Sequence, residues 1–167
     1  MKKLLTYLCL ALALTACKDK QEQADNKVND IQAQISMPAD PDKLYSYQKD
    51  NLPETCESDN EIVCAIENVV KCALNPTASY CDKKTMPEFL FYDDSMFAEG
   101  DVLGRPSEQS FKITKIKPLD NQTIEVFTKG QCDKNWFGVC EGNVIYVMTK
   151  QFGTWQVQDV YAIETIK

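Results

Sequence analysis

Apolar residues change their spacing along this chain and divide it into four parts. An apolar run near the start, residues 4–14, is interrupted only by Thr6 and Tyr7 and is followed by a polar segment to about residue 52. Apolar residues then recur at helical spacing between residues 62 and 97, and from residue 109 onward they alternate with polar ones, as in strands. The order predicts the α+β class, with helices first and an antiparallel sheet afterwards.

The first predicted helix begins near residue 60, where Ser58, Asp59 or Asn60 can cap it, and Asn75-Pro76 ends it. Its apolar face is predicted to carry Ile62, Val63, Ile66, Val69, Val70, Ala73 and Leu74. The opposite face is expected to carry Glu61, Glu67, Asn68 and Lys71.

A second helix is predicted from Thr85, which forms a capping-box pattern with Glu88 and has Pro87 in the first turn. Gly100 suits its C-terminal cap. Its apolar face would carry Phe89, Leu90, Tyr92, Met96 and Phe97.

Asp93 and Asp94 are adjacent carboxylates on that second helix. They could act as an acid–base pair or bind a cation. Adjacent helical positions do not face the same way, so a solvated face is the favoured interpretation.

Four strands are predicted, at residues 109–117, 123–129, 143–150 and 154–163. Ile116 breaks the alternation of the first, which indicates a bulge or the end of the strand. The third is apolar on both faces and is expected inside the sheet. The last would carry Trp155, Val157, Tyr161 and Ile163 on one face. The predicted fold is therefore two N-terminal helices packed on a curved four-stranded antiparallel meander.

The start of the chain resembles the signal of bacterial lipoproteins. Lys2 and Lys3 precede the apolar run, and Leu14-Thr15-Ala16-Cys17 resembles the lipobox of that family. The resemblance implies that Cys17 carries a diacylglycerol and, after cleavage, an acylated amine. It implies a signal peptide at 1–16 and a mature chain in the periplasm. The residue pattern predicts a polar, partly helical tether at 17–54 and an α+β domain at 55–167.

By the same resemblance, acyl chains on Cys17 would anchor the protein in the envelope, facing the periplasm. Lys18 stands where an inner-membrane retention signal would have Asp, which favours the outer membrane. In the tether, Ala24, Val28, Ile31 and Ile35 form a narrow helical stripe. That stripe could be a small coiled-coil or docking helix, although a partly helical stalk is favoured.

The composition argues against several classes of function. The formal net charge is −7 with no long basic run, which argues against nucleic acid as a partner. Since the chain has no histidine, Ser-His-Asp and Cys-His catalysis and most ordinary zinc sites are excluded. Neither a cofactor nor a metal is expected.

Six cysteines follow Cys17, and in an exported protein this even number predicts three disulfides. Cys64 and Cys72 lie on one predicted helix about 12 Å apart, too far to pair with each other. Proximity in the chain favours the pairs Cys132–Cys140, Cys72–Cys81 and Cys56–Cys64. A metal or cluster site is the rival interpretation, but no C-x-x-C pair occurs.

The order of elements, with its closing hairpin of residues 143–148 and 153–160, resembles the nuclear-transport-factor-two-like or cystatin-like superfamily. The resemblance implies a sheet that wraps its helices and often leaves a pocket, but it carries over no functional residue. Such a pocket could be lined by Tyr92, Tyr146, Trp155, Asp159 and Tyr161. Separately, Trp136 and Phe137 lie between Cys132 and Cys140 in the sequence. These two aromatic residues could form a binding loop, or they could fold back over the sheet.

A non-enzymatic protein-binding role is favoured, as an accessory subunit of an envelope complex or an immunity-type inhibitor. The alternative is a small-ligand or lipid-binding module with a pocket between sheet and helices. A lyase- or isomerase-like enzyme that uses Asp159 or Asp93 with a tyrosine is the least favoured.

Overall fold

The computed structural model describes residues 40, 42–92, 104–134 and 140–163. Within them, five strands form one curled antiparallel sheet in chain order, with one α-helix packed against it. The elements are β1 (Tyr45–Gln48), α1 (Glu61–Leu74), β2 (Glu108–Pro118), β3 (Thr123–Cys132), β4 (Gly142–Gln151) and β5 (Thr154–Ile163). Short 3-10 turns cover Lys49–Asn51 and Glu88–Phe91. In these ranges no helix has the length and apolar content needed to cross a bilayer.

The prediction of four strands is wrong, because β1 adds a fifth. β1 lies in the segment predicted as a tether and pairs with the start of β2, with Tyr45 opposite Phe111 and Tyr47 opposite Gln109. The Tyr45 and Phe111 rings stack with centroids 5.0 Å apart. Both tyrosines of β1 are buried, so aromatic packing stabilises a strand of only four residues.

The prediction of a second α-helix is also wrong for the residues that the structure describes. Thr85 does not cap a helix, because its hydroxyl donates to the Asp82 carbonyl within the preceding turn. A 3-10 turn follows, and Tyr92 is already extended. The carbonyls of Leu90 and Tyr92 accept from the Arg105 guanidinium, 2.8 and 3.1 Å away. The remainder of the predicted helix, 93–100, lies outside the described residues.

Helix α1 forms as predicted and packs on the inner face of the sheet. The Asn60 side chain caps it by accepting from the backbone N–H groups of Ile62 and Val63. Its apolar face contacts β5, β1 and β2. The core contributed by the sheet consists of Tyr45, Tyr47, Phe111, Ile113, Ile124, Val126, Val144, Tyr146, Met148, Val157 and Val160.

Bulges shift which residues of β2 and β5 face the core. The bulge in β2 lies between Ile113 and Lys115, which confirms the predicted break in its alternation. The second bulge lies in β5, since the successive β4 residues Val147 and Met148 pair with Asp159 and Val157, which skips one residue of β5. One additional residue in β5 reverses the side-chain alternation, so Tyr161 lies on the face opposite Val157. The prediction that these two share one face is therefore wrong. β4 lies between β3 and β5, as its two apolar faces predicted.

The three predicted disulfides are confirmed, and each joins neighbouring cysteines. The structure pairs Cys56 with Cys64, Cys72 with Cys81 and Cys132 with Cys140. The first two hold flanking segments to α1, and the third holds the β3–β4 connection against the end of β3.

Gly130 on β3 is required by the close approach of that connection. A Cβ atom built on Gly130 would lie 2.6 Å from the carbonyl oxygen of Cys140. Because the clash involves backbone, Gly130→Ala is expected to lower the free energy of unfolding by about 1–3 kcal/mol. Urea unfolding measures this. Gly104→Ala is the control, since its Cβ would meet nothing within 4 Å. Equal stability of the two variants would contradict the close contact.

Candidate functional site

A buried polar cluster joins α1 to the segment before it. The Tyr47 hydroxyl donates to the Glu67 carboxylate over 2.5 Å, and the backbone N–H of Glu57 donates to its other oxygen over 3.0 Å. Burial and then the Glu67 carboxylate raise the pKa of Tyr47 well above its ordinary value, so this hydroxyl remains a donor. Glu67, predicted on the side opposite the apolar face of α1, is fully buried.

Lys71, one turn further along α1 and predicted on the same side as Glu67, is fully buried as well. Its ammonium donates to the carbonyls of Pro53 and Thr55, 3.3 and 3.2 Å away, and lies over the Tyr80 ring. Burial lowers its pKa, and the carboxylates of Glu67 and Glu57 oppose that shift. This lysine therefore holds residues 53–55 against the helix.

The buried cluster is suited to stability rather than to catalysis. Its carboxylate is occupied by two donors and its hydroxyl stays protonated, so neither is poised to exchange a proton with a substrate. Cys56, Cys64 and Glu67 bring three possible metal-ligand atoms within 4.8 Å of one another. Both sulfurs are in a disulfide, which leaves only the carboxylate as a ligand.

The five residues predicted to line a pocket are not brought together. Tyr146 is fully buried in the core, and Tyr92 lies beside the 3-10 turn with its side chain exposed. Trp155 lines a cleft of about 150 Å³ between α1, β5 and the turn at Thr85. Asp159 and Tyr161 lie on the opposite face of the sheet, where the Asp159 carboxylate accepts from the Val160 backbone N–H.

A larger cleft, of about 480 Å³, lies where β1, β2 and β3 meet. Ser46, Ser110 and Gln131, in register across the three strands, line it together with the carboxylates of Glu108 and Glu141. Its lining is polar, unlike the apolar interior predicted for a ligand pocket between sheet and helices.

The outer face of the sheet, opposite α1, combines lysines with apolar side chains. We define this outer face by three rows of residues in register across β2 to β5: Lys112, Lys129, Asn143 and Ile163; Lys115, Phe127, Ile145 and Tyr161; Lys117, Glu125, Val147 and Asp159. The lysines lie on β2 and β3, and most of the apolar residues lie on β4 and β5. Tyr161 and Ile163 are 38% and 43% exposed.

Two of the four lysines on the outer face form ion pairs. Lys112 pairs with Asp42 at 2.6 Å, and Lys117 pairs with Glu125 at 3.1 Å. The Tyr161 hydroxyl also donates to Glu125, over 3.2 Å. Lys115 lies over the Phe127 ring, 5.8 Å from its centroid. The outer face therefore presents cations and exposed apolar groups together.

Sequence reasoning missed the outer face because each strand was read separately. The alternation of Lys112 with Ile113 already indicates a cationic face on β2. The strand register and the two bulges decide which residues of the other strands lie on that face. Several predicted site residues, namely Cys17, Asp93, Asp94, Trp136 and Phe137, lie outside the described residues.

Comparison with known proteins gives no relative. A scan of protein-family models, a search of curated proteins and a search of solved structures each found no match.

Proposed function

We propose that this chain is a lipid-anchored protein of the bacterial envelope that binds another protein through the outer face and performs no catalysis. The role is that of an accessory subunit of an envelope complex or an immunity-type inhibitor. The anchor part rests on Leu14–Cys17, where acyl chains on Cys17 would hold the chain at the periplasmic side of the outer membrane. The observation that carries the binding part is the exposed apolar surface of Tyr161 and Ile163 beside lysines.

Packing of the inner face favours this role over a small-ligand module. A drug-sized ligand needs a cavity of roughly 300–1,000 Å³. The cleft between α1 and β5 has about 150 Å³, and Tyr146 and Met148 fill the sheet interior beside it. The cleft at β1, β2 and β3 reaches about 480 Å³, but its lining is mostly polar, unlike that of a typical ligand pocket. On the outer face Ile145 is buried among its neighbours, but Tyr161 and Ile163 remain exposed.

Photo-crosslinking in cells tests the binding part. Benzoylphenylalanine replaces Tyr161 or Ile163 in the full chain, and Phe152 or Leu119 in two controls. The control residues are exposed apolar side chains in the β4–β5 and β2–β3 turns. We expect one discrete protein adduct from the outer-face positions and none from the turns. Adducts from all four positions, or from none, would refute a binding role for this face.

Metabolic labelling with a palmitate analogue tests the anchor part separately. The wild-type chain is expected to incorporate the label and to fractionate with membranes. Cys17→Ser is expected to lose the label, whereas Cys9→Ser is the matched control and should keep it. Labelling that survives Cys17→Ser would show that the anchor assignment is wrong.

A further inference from the structure

We propose that the partner bound by the outer face is an acidic polypeptide segment whose carboxylates meet Lys115 and Lys129 and whose apolar residues lie over Phe127, Tyr161 and Ile163. This inference rests on the proposed protein-binding function and names the chemistry of its partner.

The arrangement of charge on β2 and β3 carries the first step. The chain has a formal net charge of −7, yet four lysines lie together on two neighbouring strands of the outer face. Lys112 and Lys129 are directly opposite one another in the register. Like charges at opposed positions destabilise a sheet; Asp42 offsets this repulsion at Lys112, and an anionic partner would offset it at Lys129.

Two of these lysines are available to a partner. Lys112 and Lys117 already pair with Asp42 and Glu125. Within the described parts of the chain, Lys115 and Lys129 have no carboxylate in ion-pair contact, and both are exposed. A carboxylate placed between them would gain two charge-assisted contacts without displacing an existing pair.

The dimensions of the outer face suit a segment of polypeptide. The row from Lys115 to Tyr161 crosses four strands, which is about 14 Å at the usual strand spacing. One helix, about 10–12 Å across with its side chains, would cover most of this width. Its acidic residues would meet the lysine side, and its apolar residues would meet the side formed by β4 and β5.

Two carboxylates on the same face favour a polypeptide over an anionic membrane. Asp159 and Glu125 lie in the third row of the outer face, within the area that a bilayer would have to cover. A phosphate-bearing surface would be repelled by the exposed Asp159 and less strongly by Glu125, which is paired with Lys117. A polypeptide can place a neutral or basic residue opposite them.

The test uses synthetic acidic polymers and the full chain held in phosphatidylcholine nanodiscs. Fluorescence anisotropy measures binding of a labelled glutamate–tyrosine copolymer and of poly-L-glutamate. We expect the copolymer to bind more tightly, because it can also cover the apolar residues. Lys115→Gln with Lys129→Gln is expected to weaken copolymer binding about tenfold or more. Lys83→Gln with Lys84→Gln, two exposed lysines in a turn, makes the same charge change and should alter binding less than about twofold.

Equal weakening by both double variants, or no preference for the copolymer, would overturn the inference. Separate nanodiscs of phosphatidylglycerol, added as competitors, form the membrane arm. Displacement of the copolymer by these nanodiscs, and not by phosphatidylcholine nanodiscs, would assign the face to a membrane and also overturn it. Because the crosslinking experiment is independent of polymer charge, an outer-face adduct without copolymer binding would refute this inference and leave the proposed function standing.

Discussion

Glu67→Ala is expected to lower the free energy of unfolding by about 2–5 kcal/mol, since two donors in a buried cluster lose their acceptor at roughly 1–3 kcal/mol each. The Tyr47 hydroxyl and the Glu57 backbone N–H would both lose their acceptor. Lys71, buried one turn away, would lose a carboxylate that favours its charged form. Each buried group left without its partner adds its own desolvation cost.

Two further variants isolate the cause of that loss. Glu61→Ala makes the same substitution at an exposed position in the first turn of α1, and it is expected to cost only a few tenths of a kcal/mol. Glu67→Gln keeps an acceptor but removes the charge, so an intermediate loss is expected. Urea unfolding followed by tryptophan fluorescence measures all three variants. Equal stability of Glu67→Ala and Glu61→Ala would show that the buried cluster contributes little.

Removal of the Cys72–Cys81 disulfide by alanine at both positions is expected to cost roughly 3–4 kcal/mol. About 2–3 kcal/mol comes from the entropy that the closed loop removes from the unfolded chain. The rest comes from the buried sulfur of Cys72, which is fully inaccessible at the end of α1.

The Cys56–Cys64 bond is the matched control for this variant. It spans 8 residues against 9 for Cys72–Cys81, so the loop entropy is nearly equal, but both of its cysteines are only half-buried. Alanine at Cys56 and Cys64 should therefore cost about 1 kcal/mol less. A larger loss from the half-buried pair would contradict this account of packing at Cys72.

Elements with long, locally consistent patterns were predictable from the sequence. β3 to β5 and α1 have periodic apolar positions and recognisable turns or caps, and their observed bounds lie within a few residues of those predicted. β1 has only four residues, and its stability comes from Phe111, far away in the chain. The alternation of two tyrosines with polar residues at 45–48 fits a strand, but no local pattern identifies Phe111 as its partner.

Where the sequence predictions differ from the structure, contacts between distant residues determine the conformation. The Thr85 and Glu88 pattern predicted a helix, but Arg105 supplies donors to the carbonyls of the turn that forms instead. Helical spacing places Lys71 opposite the apolar face of α1, but it does not reveal that the preceding segment covers that side. The bulge in β5 decides that Tyr161 lies on the outer face, and its position is defined only by the pairing of β5 with β4.

The pairing of the cysteines has a consequence for biogenesis. From Cys56 onward, every disulfide joins a cysteine to the next one in the chain. In a chain that crosses a membrane from its N-terminus, each first cysteine meets its native partner before any other thiol of the domain emerges. An oxidase that joins cysteines in their order of appearance would thus produce the native connectivity, one of fifteen possible for six cysteines. This domain would need little help from a disulfide isomerase.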